Sequence, residues 1–164
     1  MTQDHVDRIV EQWQRERPEL DPSAKHITGR VVRLANLFEL AFGDDHARHG
    51  INNGDFGVLA ALRRSGAPFS VTPTERARNM MMTSGGMTSA IDRLERRNLV
   101  TRESNPADRR GSLVRLTDTG RRVIDVAMEG HADVEHRLVS ALDDRQRHQL
   151  ENLLRKLLLS VDDG

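Results

Sequence analysis

The spacing of apolar residues between Thr72 and Leu116 restricts the fold more than any other feature of this sequence, because it switches from a helical period to a strand period. Thr72-Pro73-Thr74-Glu75 is a sharp helix start. Thr72 is placed to cap, Pro73 suits the first helical position and Glu75 completes a capping box. The helix predicted over 73–80 has barely two turns, and Met81-Met82-Thr83 is a tight connection. Thr83 or Ser84 then caps a second helix, whose Met87, Ala90, Ile91 and Leu94 share one stripe. Asn98 suits the left-handed residue that ends a helix. The period then drops to two. Leu99 to Arg102 and Ser112 to Leu116 read as strands, with Asn105-Pro106-Ala107-Asp108 and Gly111 as turn chemistry between them.

The flanks read as helices. Val6, Ile9, Val10 and Trp13 predict an amphipathic helix over 4–17, ended by Arg17-Pro18. Ser23 is a candidate N-cap for a helix over 24–42. There Ile27, Val31, Leu34, Phe38 and Ala41 form a seam suited to packing against another helix, and Gly43 is the expected stop. Residues 44–53 read as a polar loop. Phe56, Val58, Leu59 and Leu62 mark a short helix ending near Ser65-Gly66. Thr117-Asp118 starts a long helix with Val123, Ala127, Val134 and Leu138 inward and Gly130 weakening its middle. Asp143 to Gln146 has capping-box spacing. It opens a last helix striped by Leu150, Leu153, Leu154, Leu157, Leu158 and Val161.

The order of short helix, tight turn, helix, strand, turn, strand is the outline of a winged helix-turn-helix, so the expected fold is mainly α with a small β-hairpin wing. Charge supports a nucleic-acid reading. The whole chain is neutral, with 25 basic and 25 acidic residues among 164. Yet residues 76–122 carry 11 arginines against 5 acids, and both ends are acidic. A basic segment of this kind is the footprint of phosphate binding; a solvated helix face is the competing reading. On the second helix the apolar stripe leaves Ser84, Gly85, Thr88 and Ser89 outward, small enough for hydrogen bonding to bases or phosphates. Arg93 and Arg96, with Arg97, lie further along and suit the DNA backbone. Arg109 and Arg110 are expected at the tip of the wing, beside a phosphate or in a narrow minor groove, with Asp108 directing one guanidinium. Thr72 completes the candidate DNA-contacting set.

The wing resembles that of the MarR family of bacterial transcription regulators. The family pattern D-x-R-x-x-x-V-x-L-T-x-x-G is matched at Asp108, Arg110, Val114, Leu116, Thr117 and Gly120. The similarity runs over roughly residues 24–161. It departs at Arg76, where the family usually has Leu, and at Ser89 and Ala90, where many relatives carry Asn or Arg. The resemblance implies a homodimer interlocked through its N- and C-terminal helices, pseudo-palindromic double-stranded operator DNA as partner, and a small ligand that relieves repression. It implies three parts: residues 1–50 with dimerisation helices and a ligand pocket, residues 51–120 as the DNA-binding lobe, and residues 121–164 as C-terminal dimerisation helices.

The extra N-terminal helix with Trp13 is similar to a MarR subgroup that includes urate-responsive repressors. The subgroup's ligand positions correspond here to Trp13, Gly57, Arg64 and Ala90, of which Trp13 and Arg64 match. A pocket with Arg64 as its handle suits an aromatic carboxylate or phenol. The plainer reading makes Trp13 a core anchor for the extra helix.

Other chemistries find little support. The chain has no cysteine, which removes disulfides, thiolate catalysis and Cys-ligated zinc. It lacks a P-loop, an H-E-x-x-H helix and a G-x-S-x-G elbow, so no enzyme is expected and no cofactor is assigned. His46 and His49 with Asp44 and Asp45 have the spacing of weak metal ligands, as do His131, Asp133, Glu135 and His136. A solvated loop and a multi-faced helix explain them as well. Met80, Met81, Met82 and Met87 read as gap-filling core. With no apolar run of membrane-spanning length and no signal-peptide pattern, a soluble cytoplasmic protein is expected. The competing functional classes are a helical protein-interaction module on the same fold and a metal-responsive regulator.

Overall fold

A computed structural model describes residues 2–71, 84–105 and 108–162, leaving aside the side chains of residues 84 and 105–111. The elements are α1 (His5–Glu16), α2 (Lys25–Arg48), α3 (Asn53–Arg64), β1 (Ser70–Val71), α4 (Ser84–Arg96), β2 (Val100–Asn105), β3 (Asp108–Leu116), α5 (Asp118–Leu138) and α6 (Asp144–Asp162). The predicted helix start at Thr72, with Arg76 and Met80 to Met82, lies outside the described residues. The chain divides into two compact units, Met1–Asp44 and Asp45–Gly164, with α2 running through the boundary.

In the first unit, Asp4 caps α1 in a reciprocal box with Asp7, as the orphan N–H groups of a helix start require. Arg30 of α2 donates to Asp4 at 2.8 Å and to Asp7 at 2.6 Å. Val6 and Val10 are the buried residues of α1. Trp13 is 45% exposed, which corrects its reading as a core anchor: the i, i+4 pair of valines does that work. Ser23 is not the expected cap either, because its hydroxyl donates to Asp21. The α2 seam is present, but Ile27, Val31 and Leu34 face solvent in this chain.

The second unit holds the core, in which α3, α4, the first half of α5 and one face of a three-stranded antiparallel sheet bury Leu59, Leu62, Ile91, Leu94, Val100, Val114 and Ile124. The strand order is β1-β3-β2. β1 was not legible from sequence. It is only two residues long, and pairs Ser70 with Arg115 and Val71 with Val114. The hairpin is longer than expected. Its ladder reaches Asn105 opposite Asp108 after an irregularity at Ser104/Asn105, so Arg109, Arg110 and Gly111 are strand residues of β3 rather than a turn.

Two glycines are fixed by close approach. A Cβ on Gly120 would stand 2.0 Å from the Leu99 carbonyl oxygen. Thr117 caps α5 by accepting from the Gly120 N–H, while its own N–H and hydroxyl reach Leu99 O. The L-T-x-x-G end of the wing pattern is therefore a packing requirement. Gly130 is the second: a Cβ there would meet Asp45 Oδ2 at 2.7 Å. The predicted polar loop over 44–53 is shorter than expected: residues 44–48 are the last turn of α2, with Asp45 and His46 buried, and only residues 49–52 are non-helical. Tertiary packing outweighs the roughly 1 kcal/mol that Gly43 costs a helix. α6 opens on the Asp143/Gln146 box, each side chain meeting the other's backbone N–H at 2.8–2.9 Å. It buries no residue in this chain.

Candidate nucleic-acid interface

α4 is amphipathic in the expected register. Met87, Ala90, Ile91 and Leu94 are buried, while Gly85, Gly86, Thr88 and Ser89 are exposed. One face thus locks the helix to the core and the other presents small groups whose backbone a duplex can approach closely. Ser84 is the first residue of α4. Asn98 ends the helix at φ 55°, and its N–H bonds Glu95 O.

The arginines of the basic segment divide into two groups. Arg93 donates to Asp55 at 2.8 and 3.2 Å and also reaches Asn52, which ties α4 to the start of α3. Arg97 donates to Gly50 O at 2.6 Å. Arg102 of β2 bridges Asp92 and Glu95 of α4, and those carboxylates hold its guanidinium more firmly protonated than usual. Arg115 pairs with Glu103 at 2.8 Å. Arg93, expected to hold DNA, is thus bound to a buried carboxylate. Arg96 differs: among the described residues its exposed guanidinium meets only the Asp92 carbonyl of its own helix, at 3.2 Å. Asp108, Arg109 and Arg110 begin β3. Thr72 lies outside the described residues.

The Asn52–Asp55 capping box at the start of α3 was missed from sequence, although its N-x-x-D spacing is legible. Beside it a stacked aromatic group closes the second unit. The His46 ring lies 4.0 Å from Phe56, and His131 lies 4.5 Å from Phe56. His46 Nδ1 meets Asn53 Oδ1 at 2.8 Å, and its Nε2 meets His131 Nδ1 at 3.1 Å. Burial holds the His46 imidazole below its ordinary pKa, the Asn53 contact opposes this, and His131 adds to the lowering. His46 is therefore a packed core histidine. Among the described residues no group of three or more His, Asp or Glu side chains is arranged to hold a metal.

The ligand candidates fall in different units: Trp13 is on α1, and Arg64 is the exposed last residue of α3. Among the described residues no helix is long and apolar enough to cross a membrane.

A helix with one buried face, followed by an antiparallel hairpin whose β3 also pairs with the earlier β1, has the outline of a winged-helix protein. The MarR family pattern matches residues 49–111. The HTH-type transcriptional regulator PecS of Dickeya dadantii (strain 3937) is 32% identical over 149 residues, which span 91% of this chain and 90% of that one. The HTH-type transcriptional regulator YkoM of Bacillus subtilis (strain 168) is 32% identical over 134 residues, 77% of this chain and 85% of that one. Among solved structures, Sco3205 of Streptomyces coelicolor, a MarR family transcriptional regulator in complex with DNA, superposes with a TM-score of 0.77. Its identity is 26%, over 87% of this chain and 89% of that one. A mutant of Escherichia coli MarR complexed with operator DNA gives 0.73 at 27% identity, over 85% and 99%. The chain belongs to the MarR family of transcriptional regulators. The family consists of regulators rather than enzymes, in keeping with the absence of a catalytic motif from the sequence.

Proposed function

We propose that the protein is a homodimeric repressor that binds pseudo-palindromic operator DNA and is released by a small aromatic or phenolic ligand. The observation that carries the reading is the division of α4 into a fully buried apolar face and an outward face of glycine, threonine and serine. In this reading Ser84, Gly85, Thr88 and Ser89 approach base edges. Arg96 takes a phosphate, Arg109 and Arg110 lie beside a phosphate or in a narrow minor groove with Asp108 directing one guanidinium, and Thr72 belongs to the DNA-contacting set. Arg93 serves by fixing α4 against Asp55. Two recognition helices of a dimer would then enter successive major grooves one helical turn apart.

The dimer reading rests on exposed apolar surface. Leu150, Leu153, Leu154, Leu157, Leu158 and Val161 of α6 are between 41% and 73% exposed. A leucine stripe of that extent is costly in water and suits an isologous contact with a second copy. Residues 1–50 and 121–164 supply dimerisation and residues 51–120 the DNA-binding lobe. The relief of repression rests on Trp13 and Arg64 as ligand contacts. A fluorescence-anisotropy titration against DNA flanking the protein's own coding region, at two salt concentrations and then with aromatic acids, tests the whole reading. Tight, salt-sensitive binding reversed by one compound supports it. A folded dimer that binds no DNA at low salt overturns it in favour of an interaction module.

A further inference from the structure

The first two turns of α4, residues 84–91, contain no arginine, lysine, asparagine or glutamine. Those are the side chains that read guanine or adenine by paired hydrogen bonds in the major groove. The charged residues that follow are engaged elsewhere. Arg93 is held by Asp55, and Arg97 by the Gly50 carbonyl. Asp92, an outward acid of the kind that accepts from cytosine, is bridged by Arg102 of β2. Arg96 lies two turns beyond Thr88, about 12 Å along the helix axis.

What faces outward at the start of α4 is small. Gly85, Thr88 and Ser89 are exposed and share one side of the helix at i, i+3 and i+4 spacing. The Ser89 hydroxyl both donates and accepts, so it distinguishes base pairs weakly. Among the described residues of these two turns, Thr88 supplies the only exposed methyl group. Its counterpart in the major groove is the C5-methyl of thymine, which cytosine and the purines lack.

Gly85 points to the same surface. A Cβ added there would meet nothing within 4 Å among the described residues, whereas at Gly120 and Gly130 the chain itself fills the space. Packing within the chain therefore does not call for glycine at this position, and alanine would favour the helix. Bare backbone one turn before Thr88 lets the helix sit closer to the floor of a groove than a side chain would.

We propose that α4 reads thymine, an inference that rests on the DNA-binding reading of this helix. The Thr88 methyl packs against the C5-methyl of a thymine in each half-site. Gly85 brings the backbone close enough for that contact, and the first two turns read no purine by paired hydrogen bonds. Thr88 is then the residue that sets a preference for thymine at one fixed place in each half-site.

The test selects binding sites from a random duplex library with the full-length protein. Anisotropy titrations then follow the selected duplexes with each thymine replaced in turn by deoxyuridine, which lacks only the methyl group. At one thymine per half-site the replacement should weaken binding about fourfold, and about fifteenfold when both half-sites are changed. Thr88→Ser, which keeps a hydroxyl and removes the methyl, should bind the thymine and deoxyuridine duplexes equally. Gly85→Ala should melt no lower than the unaltered protein, yet bind the selected duplexes at least about fivefold more weakly. Three results would overturn the proposal alone: selected sites indifferent to deoxyuridine, a deoxyuridine penalty that persists in Thr88→Ser, or full affinity in Gly85→Ala. A library from which nothing is enriched at low salt overturns the DNA-binding reading, and the proposal with it.

Discussion

Both hydrogen bonds that the Arg93 guanidinium donates to Asp55 fall on one oxygen, Oδ1, while Oδ2 accepts from the Asn52 N–H. The Asp55 side chain is 5% exposed and that of Arg93 is 37% exposed, so the pair spans the boundary between core and solvent. One carboxylate thereby caps α3 and sets the position of α4.

Asp55→Asn should lower stability by about 1–3 kcal/mol, since it removes the charge from a buried, doubly hydrogen-bonded acceptor. Urea denaturation is the measurement, read as a shift in midpoint at constant slope. Operator affinity should fall as well, because α4 loses its tether. An unchanged midpoint would show that the pair is incidental.

Gly120→Ala should be far more damaging than Gly130→Ala. In the first, the added methyl meets a backbone carbonyl at 2.0 Å; in the second it meets a side-chain carboxylate at 2.7 Å. Backbone gives way less readily than a side chain, and overpacking costs about 1–3 kcal/mol or more. Alanine also returns about 1 kcal/mol of helix propensity at either site. Thermal melts of the two variants should rank in that order, and equal Tm values would contradict the packing account.

Stability should fall as the pH drops below His46's ordinary value of 6.5. Burial lowers the folded-state pKa, so the unfolded chain takes up a proton first. The contribution is present in full above pH 6.5 and is lost as pH falls from there through the folded pKa. The groups facing the ring are His49 and Asp45 on its own helix, Asn53 and Phe56 on α3, and His131 on α5. His46→Gln should flatten the Tm profile between pH 7 and 5, relative to the wild type. A variant that kept the full slope would place the titration on another group.

Arg110→Ala should weaken binding to all DNA sequences alike and reduce the salt slope by about one, because phosphate contacts position without specifying. Thr88→Ala should act differently, changing the ranking of operator variants more than the mean affinity. Competition titrations against a small operator library separate the two behaviours.

Elements whose signals are local were legible in the sequence. The Asp143/Gln146 box, the left-handed Asn98, the Thr117 cap and the alternation of Met87 and Ala90 with Thr88 and Ser89 all depend on neighbours a few residues away. What depends on distant partners was not. Asp45 and His46 read as loop residues because their burial comes from α3 and α5. Arg93 read as a free cation because its partner lies 38 positions earlier in the chain. Trp13 read as core because a tryptophan usually is, yet Val6 and Val10 take the inward positions. β1 has two residues, too few to show a period.

The Leu99 carbonyl is where three pieces of the protein converge. It follows the end of α4, precedes β2, and receives the N–H and hydroxyl of Thr117 with Gly120 pressed against it. Such a joint has no slack. A turn of α5 about that point carries the wing and α4 as one piece, like a key whose bit and blade are cut from the same metal. A signal arriving through α5 would therefore reorient α4 and the wing together, and the two could not be tuned one at a time.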